Sequence, residues 1–353
     1  MSSLTNIESY KGYIRFKKIF LLLLVVIMAA TGIIAIACGS SGLSVYQVLA
    51  TLLGRGTEQT EVIVFNIRLP RVITAIVAGT GLAVVGCVMQ SLLKNPLASS
   101  STLGVSQGAA FGAAFAIIAL GAGMQNQTVD GVTFSEPYKI SICAFAGSMM
   151  STIVILVLSK VKRITPEMMV LAGVALSSVF SGGTTLLQYF ADDVKVAAVV
   201  FWTFGNLGST SWREIIIMTV VVAASLIYFM LNRWNYNAMQ NGENTAKGLG
   251  VNVEGMRIVG MIVCSMTASV IVSYIGIINF IGLISPHLMR RVIGSDYRYL
   301  LPASAMGGAI LLLLSDTAAR LAVQPAVLPI GAITSFLGAP LFMYLIFKGG
   351  RGR

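Results

Sequence analysis

The chain has 353 residues, of which 56% are hydrophobic and only 10% charged, and its mean hydropathy is +0.86. Soluble domains carry about 25% charged residues, so this composition excludes a soluble enzyme and makes lipid the solvent for most of the surface. The formal net charge of +11 reads as the positive-inside bias of a membrane protein and not as a nucleic-acid footprint.

Continuous apolar runs favour membrane helices over a barrel, whose strands alternate in polarity. Taken in chain order, spans are predicted at Ile19–Cys38, Val72–Leu93, Leu103–Ala122, Ile140–Leu158, Met168–Phe190 and Ile215–Leu231. The stretch Ile258–Val292 is too long for one crossing and splits near Gly276, where Asn279, Gly282 and Pro286 also interrupt it. Leu300–Ala322 and Leu328–Phe347 complete ten spans, with residues 1–18 as a cytoplasmic segment and 19–353 as one membrane domain. Ala35-Ile36-Ala37-Cys38 has the look of a lipoprotein cleavage site, but the preceding run is too long for a signal core, so the first span is expected to stay.

Charge supports this topology. Ten spans with both ends cytoplasmic place 17 of the 24 basic residues inside, among them Lys94, Arg163, Arg233, Lys247, Arg257, Arg290, Arg291, Arg351 and Arg353. Nine spans would expel the basic C-terminus, against the bias. The outer loops are modest, and Val194–Phe204 is expected to be a helix lying at the outer interface.

Three constellations stand out. Arg68 and Arg71 flank Leu69-Pro70 ahead of the second span, and Arg320 follows Asp316 by four residues near the outer end of the ninth. They read either as an intrahelical Asp316–Arg320 ion pair with Arg320 snorkelling, or as an exposed basic pocket for acidic groups on a partner. Gly104, Gly108 and Gly112 recur every four residues, the spacing of a close-packing seam. The inner loop, residues 232–257, reads as two short helices broken at Asn241-Gly242, a docking surface for a cytoplasmic partner.

Catalytic motifs are missing. There is no GxxxxGK[ST] phosphate loop, no HExxH and no CxxC, and His287 is the single histidine. The four cysteines lie in or beside apolar runs without metal-ligand spacing. The work of the chain is therefore solute movement powered by a partner or an ion gradient. A secondary transporter would carry functional intramembrane acids, and Asp316 is the sole acid well inside a span. A sensor or scaffold would carry a further soluble domain, which these loops are too short to hold.

Several motifs in order carry a resemblance. They are Arg68-Leu69-Pro70-Arg71, Gln90, Asn95-Pro96-Leu97-Ala98, Leu103-Gly104-Val105-Ser106, Leu171-Ala172-Gly173-Val174-Ala175-Leu176, Phe280-Ile281-Gly282-Leu283-Ile284-Ser285-Pro286-His287, Gly294-Ser295-Asp296, Leu328-Pro329-Ile330-Gly331 and Gly338-Ala339-Pro340. From about Val62 onward the chain resembles the permease subunits of binding-protein-dependent ABC importers for iron-siderophore, haem and vitamin B12.

The resemblance implies an all-α, ten-helix type II importer permease in the cytoplasmic membrane. It implies a second permease subunit, two ATPase subunits below and a substrate-binding protein above. It assigns Arg68, Arg71 and Arg320 to binding-protein docking, and Asn241, Gly242, Glu243, Asn244, Lys247, Gly248, Leu249 and Gly250 to ATPase coupling. It places the pathway on the fifth span, where Ser177, Ser178, Ser181, Thr184 and Thr185 are the candidate lining, and the cytoplasmic gate at Thr165-Pro166-Glu167. Asn235-Tyr236-Asn237-Ala238-Met239-Gln240 departs from the family's leucine-rich coupling helix. No cofactor is expected on the chain itself, ATP being used by the partner, and no metal is held by protein ligands. Ferric siderophore is the expected cargo, with haem or a corrinoid as alternatives.

Overall fold

The computed structural model describes residues 2–39, 43–128, 131–162, 165–323 and 326–349. Arg163, Arg351 and Arg353, counted above in the inner charge, lie outside the described residues.

The fold is helical. A first helix, α1 (Ser2–Ala37), is followed by short helices α2 (Val45–Leu52) and α3 (Glu58–Glu61). α3 runs through a π-helical turn, Val62–Arg68, into α4 (Leu69–Leu92). Pro70 sits in the first turn of α4, where its missing N–H costs no helical bond. A 3-10 turn, Ser101–Leu103, leads into α5 (Val105–Ile118). After a hairpin come α6 (Pro137–Lys162), α7 (Pro166–Tyr189), α8 (Asp193–Thr203) and α9 (Trp212–Leu231). The segment 232–252 holds α10 (Arg233–Gln240) and α11 (Glu243–Gly248), and α12 (Val253–Ile275), α13 (Ile281–Ile293), α14 (Tyr297–Leu321) and α15 (Ile330–Gly349) finish the chain.

Each of the ten expected spans coincides with a helix. Seven helical runs, 11–37, 58–92, 137–161, 166–189, 212–231, 253–275 and 297–321, are long and apolar enough to cross a bilayer. α5 is apolar but shorter, with 14 residues, and α15 is an apolar helix of 20. α13 has 13 residues, which makes it about 20 Å long. Helix length therefore does not by itself confirm ten full crossings. The break near Gly276 is present: this residue, at φ +76°, ends α12 against the Trp202 carbonyl, which a Cβ would meet at 2.5 Å.

Two features are absent from the sequence reading. The outer segment after α5 forms an antiparallel hairpin, β1 (Met124–Thr128) with β2 (Gly131–Phe134). The outer segment before α4 is helical rather than a plain loop. The stretch expected as a helix at Val194–Phe204 is helical, as α8.

Close backbone packing holds the core, because lipid supplies no hydrophobic drive between helices. α4 is the central post, surrounded by α14, α13, α12 and α9. A Cβ at Gly79 would overlap the Gly308 carbonyl of α14, and one at Gly86 would overlap the Gly282 carbonyl of α13. The expected α5 seam is also real. Gly108 and Gly112 lie against the backbone of Gly147 and Cys143 in α6. Gly104 serves the chain differently. At φ +79° it makes the left-handed turn into α5, between the hydroxyls of Ser151 and Ser177.

Candidate functional site

At one end of the molecule, three arginines converge. Asp316 on α14 is 1% exposed and receives Arg71 from α4 and Arg320 from its own helix. Arg71 Nε donates to Oδ1 at 2.9 Å, and its Nη2 approaches the same oxygen at 2.9 Å. Arg320 Nε donates to Oδ2 at 3.0 Å. The intrahelical pair expected from the sequence thus exists, but it is half of a larger arrangement.

Arg320 and Arg68 also donate to the end of α1. The last four carbonyls of an α-helix have no partner within it. Arg320 donates to the carbonyls of Ala35 at 2.9 Å and Cys38 at 2.6 Å. Arg68 donates to those of Ile36 at 2.6 Å and Ala37 at 2.9 Å. Two cations therefore cap α1 where its dipole is negative. An exposed basic pocket is the other of the two sequence readings. The structure buries Arg68 and Arg71 and leaves the Arg320 side chain 11% exposed, because their donors are engaged by a carboxylate and by orphan carbonyls. Beside Arg71 lies a half-open cavity of about 520 Å³, walled by Phe201, Trp202, Phe204, Tyr274 and Pro329, with Glu214 at its edge. No spacing in the sequence signals it, since its walls come from segments far apart in the chain.

α7 carries the candidate pathway residues. Ser178, Ser181 and Thr185 are exposed along one side, with Ser177 and Thr184 half-buried toward the 3-10 turn and α5. Four of the five hydroxyls donate to carbonyls one turn back, Ser177 to Gly173, Ser178 to Val174, Thr184 to Phe180 and Thr185 to Ser181. Back-bonded hydroxyls leave a weakly polar wall without strong binding groups. At the start of the helix, Thr165 is the N-cap, its hydroxyl accepting from Met168 N–H at 3.4 Å, with Pro166 in the first turn. Thr165 and Glu167 are exposed.

The segment between α9 and α12 breaks where expected. Gly242, at φ +108°, separates α10 from α11. Asn241, Asn244, Lys247, Gly248, Leu249 and Gly250 are exposed together, with Leu249 at 69%. Glu243 behaves differently and turns inward. Its carboxylate pairs with Lys94 at 3.0 Å and with Arg257. Those partners hold the Glu243 carboxyl below the ordinary carboxylate range, the Lys94 hydrogen bond foremost.

The unusual sequence of α10 is spent on internal contacts. Tyr236 and Met239 are buried, and Tyr236 stacks on Tyr297 with centroids 5.4 Å apart. Asn237 donates to Asp296 Oδ1 at 3.0 Å and accepts from Tyr297 N–H at 2.8 Å, while Gln240 donates to the Ser295 carbonyl. Polar residues here tie α10 to the turn between α13 and α14. Among the described residues no group of three His, Cys, Asp or Glu side chains is placed to hold a metal ion.

Residues 22–348 match the FecCD transport family. The chain belongs to that family. A relative in Methanocaldococcus jannaschii, named as a putative ABC transporter permease protein, is 51% identical over 341 residues and is covered to 97%, as is this chain. The haemin transport system permease protein of Yersinia pestis is 36% identical over 288 residues, which are 80% of this chain and 82% of the relative. Other matching permeases are named for Fe(3+)-citrate and vitamin B12. A solved metal-chelate type ABC transporter in an inward-facing conformation superposes with a TM-score of 0.82 at 30% identity, covering 93% of this chain and 99% of that one. The protein is thus an ABC importer permease of the iron-chelate, haem and vitamin B12 group.

Proposed function

We propose that this permease carries a ferric siderophore across the cytoplasmic membrane, as one of two permease subunits driven by two cytoplasmic ATPase subunits and supplied by an extracytoplasmic binding protein. The observation that carries the reading is α7. It is a span only 11% buried within its own subunit, and its open side bears back-bonded hydroxyls. Such a face is unfinished until a second copy stands opposite. Two of them would form a wide conduit of low affinity, suited to a large chelate that must be released.

In this reading Ser177, Ser178, Ser181, Thr184 and Thr185 line the conduit, and Thr165-Pro166-Glu167 closes its inner end. The exposed residues Asn241, Asn244, Lys247, Gly248, Leu249 and Gly250 sit in the ATPase groove, with Gly242 as the bend and Glu243 on the inward side. Both termini are cytoplasmic. The binding protein's acidic groups dock over Arg68, Arg71 and Arg320, approaching through the tenth of the Arg71 and Arg320 side chains that stays exposed. ATP is hydrolysed by the partner, and the iron travels inside its chelator. Movement of the coupling segment rocks the spans between outward and inward states.

The test is uptake into liposomes holding the permease, its ATPase and its binding protein. ATP-dependent accumulation of a ferric siderophore is expected. Accumulation of haemin or cyanocobalamin instead reassigns the cargo, and ATP-independent uptake driven by an ion gradient overturns the mechanism. Charge reversal at Arg320 should weaken docking of the loaded binding protein at least about tenfold; unchanged affinity removes the docking assignment.

A further inference from the structure

The cavity beside Arg71 has no part in the assignments above, yet it is firmly built. Its walls include the ends of α8 and α12 and the segment leading into α15. Backbone contacts fasten these pieces together. Asn206 N–H donates to the Ile275 carbonyl at 2.8 Å, and Gly331 N–H to the Phe204 carbonyl at 3.0 Å. A Cβ at Gly331 would meet the carbonyls of Ile277 and Phe204 at 2.8 and 2.9 Å. Contacts this close fix the walls, and a space of about 520 Å³ remains between them, the size of a pre-formed small-molecule site.

Charge selects the occupant. Three guanidiniums, those of Arg68, Arg71 and Arg320, gather at a single carboxylate, Asp316, and at the end of α1. The negative end of α1 offsets about half a unit of the excess. More than one positive charge is left over, in a place where buried charges are ordinarily matched. Among these three arginines, Arg71 is the one that borders the cavity. Its Nε and Nη2 are taken by Asp316, whereas Nη1 has no hydrogen-bond partner among the described residues. Phe201, Trp202, Phe204 and Tyr274 supply an aromatic wall around the same space. Glu214 stands at the edge, its carboxylate accepting from the Ser211 N–H at 2.6 Å. A negative group there repels a second anionic charge, so the occupant carries one anionic head and is otherwise apolar.

We infer that this cavity binds a small amphipathic anion, with a carboxylate or phosphate oxygen on Arg71 Nη1 and an apolar body against Trp202, Phe204 and Tyr274. A soluble aromatic acid and a fatty acid drawn from the membrane share this chemistry. An aromatic wall with a carboxylate at its rim also suits an organic cation. A cation would add to the surplus charge beside Arg71, and an anion cancels it. The inference goes beyond the importer reading, because occupancy needs neither an ATPase nor a binding protein.

The test uses the full chain in nanodiscs of neutral phosphatidylcholine, with empty discs as the blank. The probes are 4-phenylbutyrate for a soluble acid and laurate for a membrane acid, each beside its own amide and its own amine. Calorimetric titration should show saturable binding of at least one acid, and the tighter of the two names the source. Its amide and its amine should bind at least about tenfold more weakly. Binding should also change the indole emission, and Trp202→Phe should remove that change. Ser141→Phe narrows the cavity from α6 and should weaken the acid at least about tenfold. Where it gives no folded protein, Phe204→Ala, at a wall position 39% exposed, takes its place. Equal binding of the amide or the amine, wild-type affinity in the folded cavity variant, an emission change that survives Trp202→Phe, or no binding of either acid at millimolar concentration overturns the inference. The importer reading stands or falls separately, on transport.

Discussion

The runs 58–92 and 166–189 are both unbroken apolar helices, yet 78% of the apolar window is buried in the first and only 11% in the second. The first, centred on α4, meets its neighbours backbone to backbone through Gly79 and Gly86. The second presents Leu171, Val174, Ser178, Ser181 and Thr185 outward, and Gly182 has nothing within 4 Å of where a Cβ would stand. Similar hydropathy thus serves opposite purposes. α4 is finished inside one subunit, and α7 is finished only by whatever faces it. Gly86 marks close packing in α4, whereas Gly182 marks clearance on the open side of α7.

Paired substitutions test this contrast most severely. Gly86→Leu drives a side chain into the α13 backbone and should cost about 3 kcal/mol or more, abolishing monodisperse protein on size-exclusion chromatography. Gly182→Leu should leave the stability of the isolated subunit, read by thermal melting, within about 0.5 kcal/mol of wild type while reducing transport by the assembled complex. Equal losses of folding would mean that α7 is as enclosed as α4. Next comes the ion cluster that fastens α4 to α14. Asp316→Ala leaves Arg71 and Arg320 without their shared carboxylate and should destabilise the subunit by about 3 kcal/mol, read by thermal melting in detergent. The smallest effect belongs to the α7 hydroxyls. Ser178→Ala with Thr185→Ala removes only bonds to carbonyls that already serve the helix, so stability should change by less than about 0.5 kcal/mol. A larger loss would show that these hydroxyls hold the subunit together.

What the sequence made legible follows from local rules. Pro70 marks the start of α4, Gly276 divides the long apolar stretch, and Asn241-Gly242 breaks the inner segment, each through backbone chemistry that neighbouring residues reveal. The resemblance motifs place the candidate residues on identifiable helices and turns. The π-helical turn at Val62–Arg68 has no such local signature. Nor does the cluster around Asp316, whose partner Arg71 stands 245 residues away. An arginine in a sequence shows its charge but not the carbonyls that will absorb its donors, and so the expectation of an exposed pocket met a buried one. Glu243 illustrates the same limit. It belongs to the segment expected to dock, yet its carboxylate faces inward because Lys94 and Arg257 wait there.

The cap on α1 also sets an order of events. α1 precedes the other described helices in the chain, and it is poorly buried, at 22% of its apolar window. Its terminal carbonyls are satisfied by Arg68 and by Arg320, the latter 285 residues downstream of Ala35. Until α14 has been synthesised and inserted, the end of α1 can be only half latched. A chain halted before residue 320 would therefore hold α1 by the Arg68 half of the cap alone.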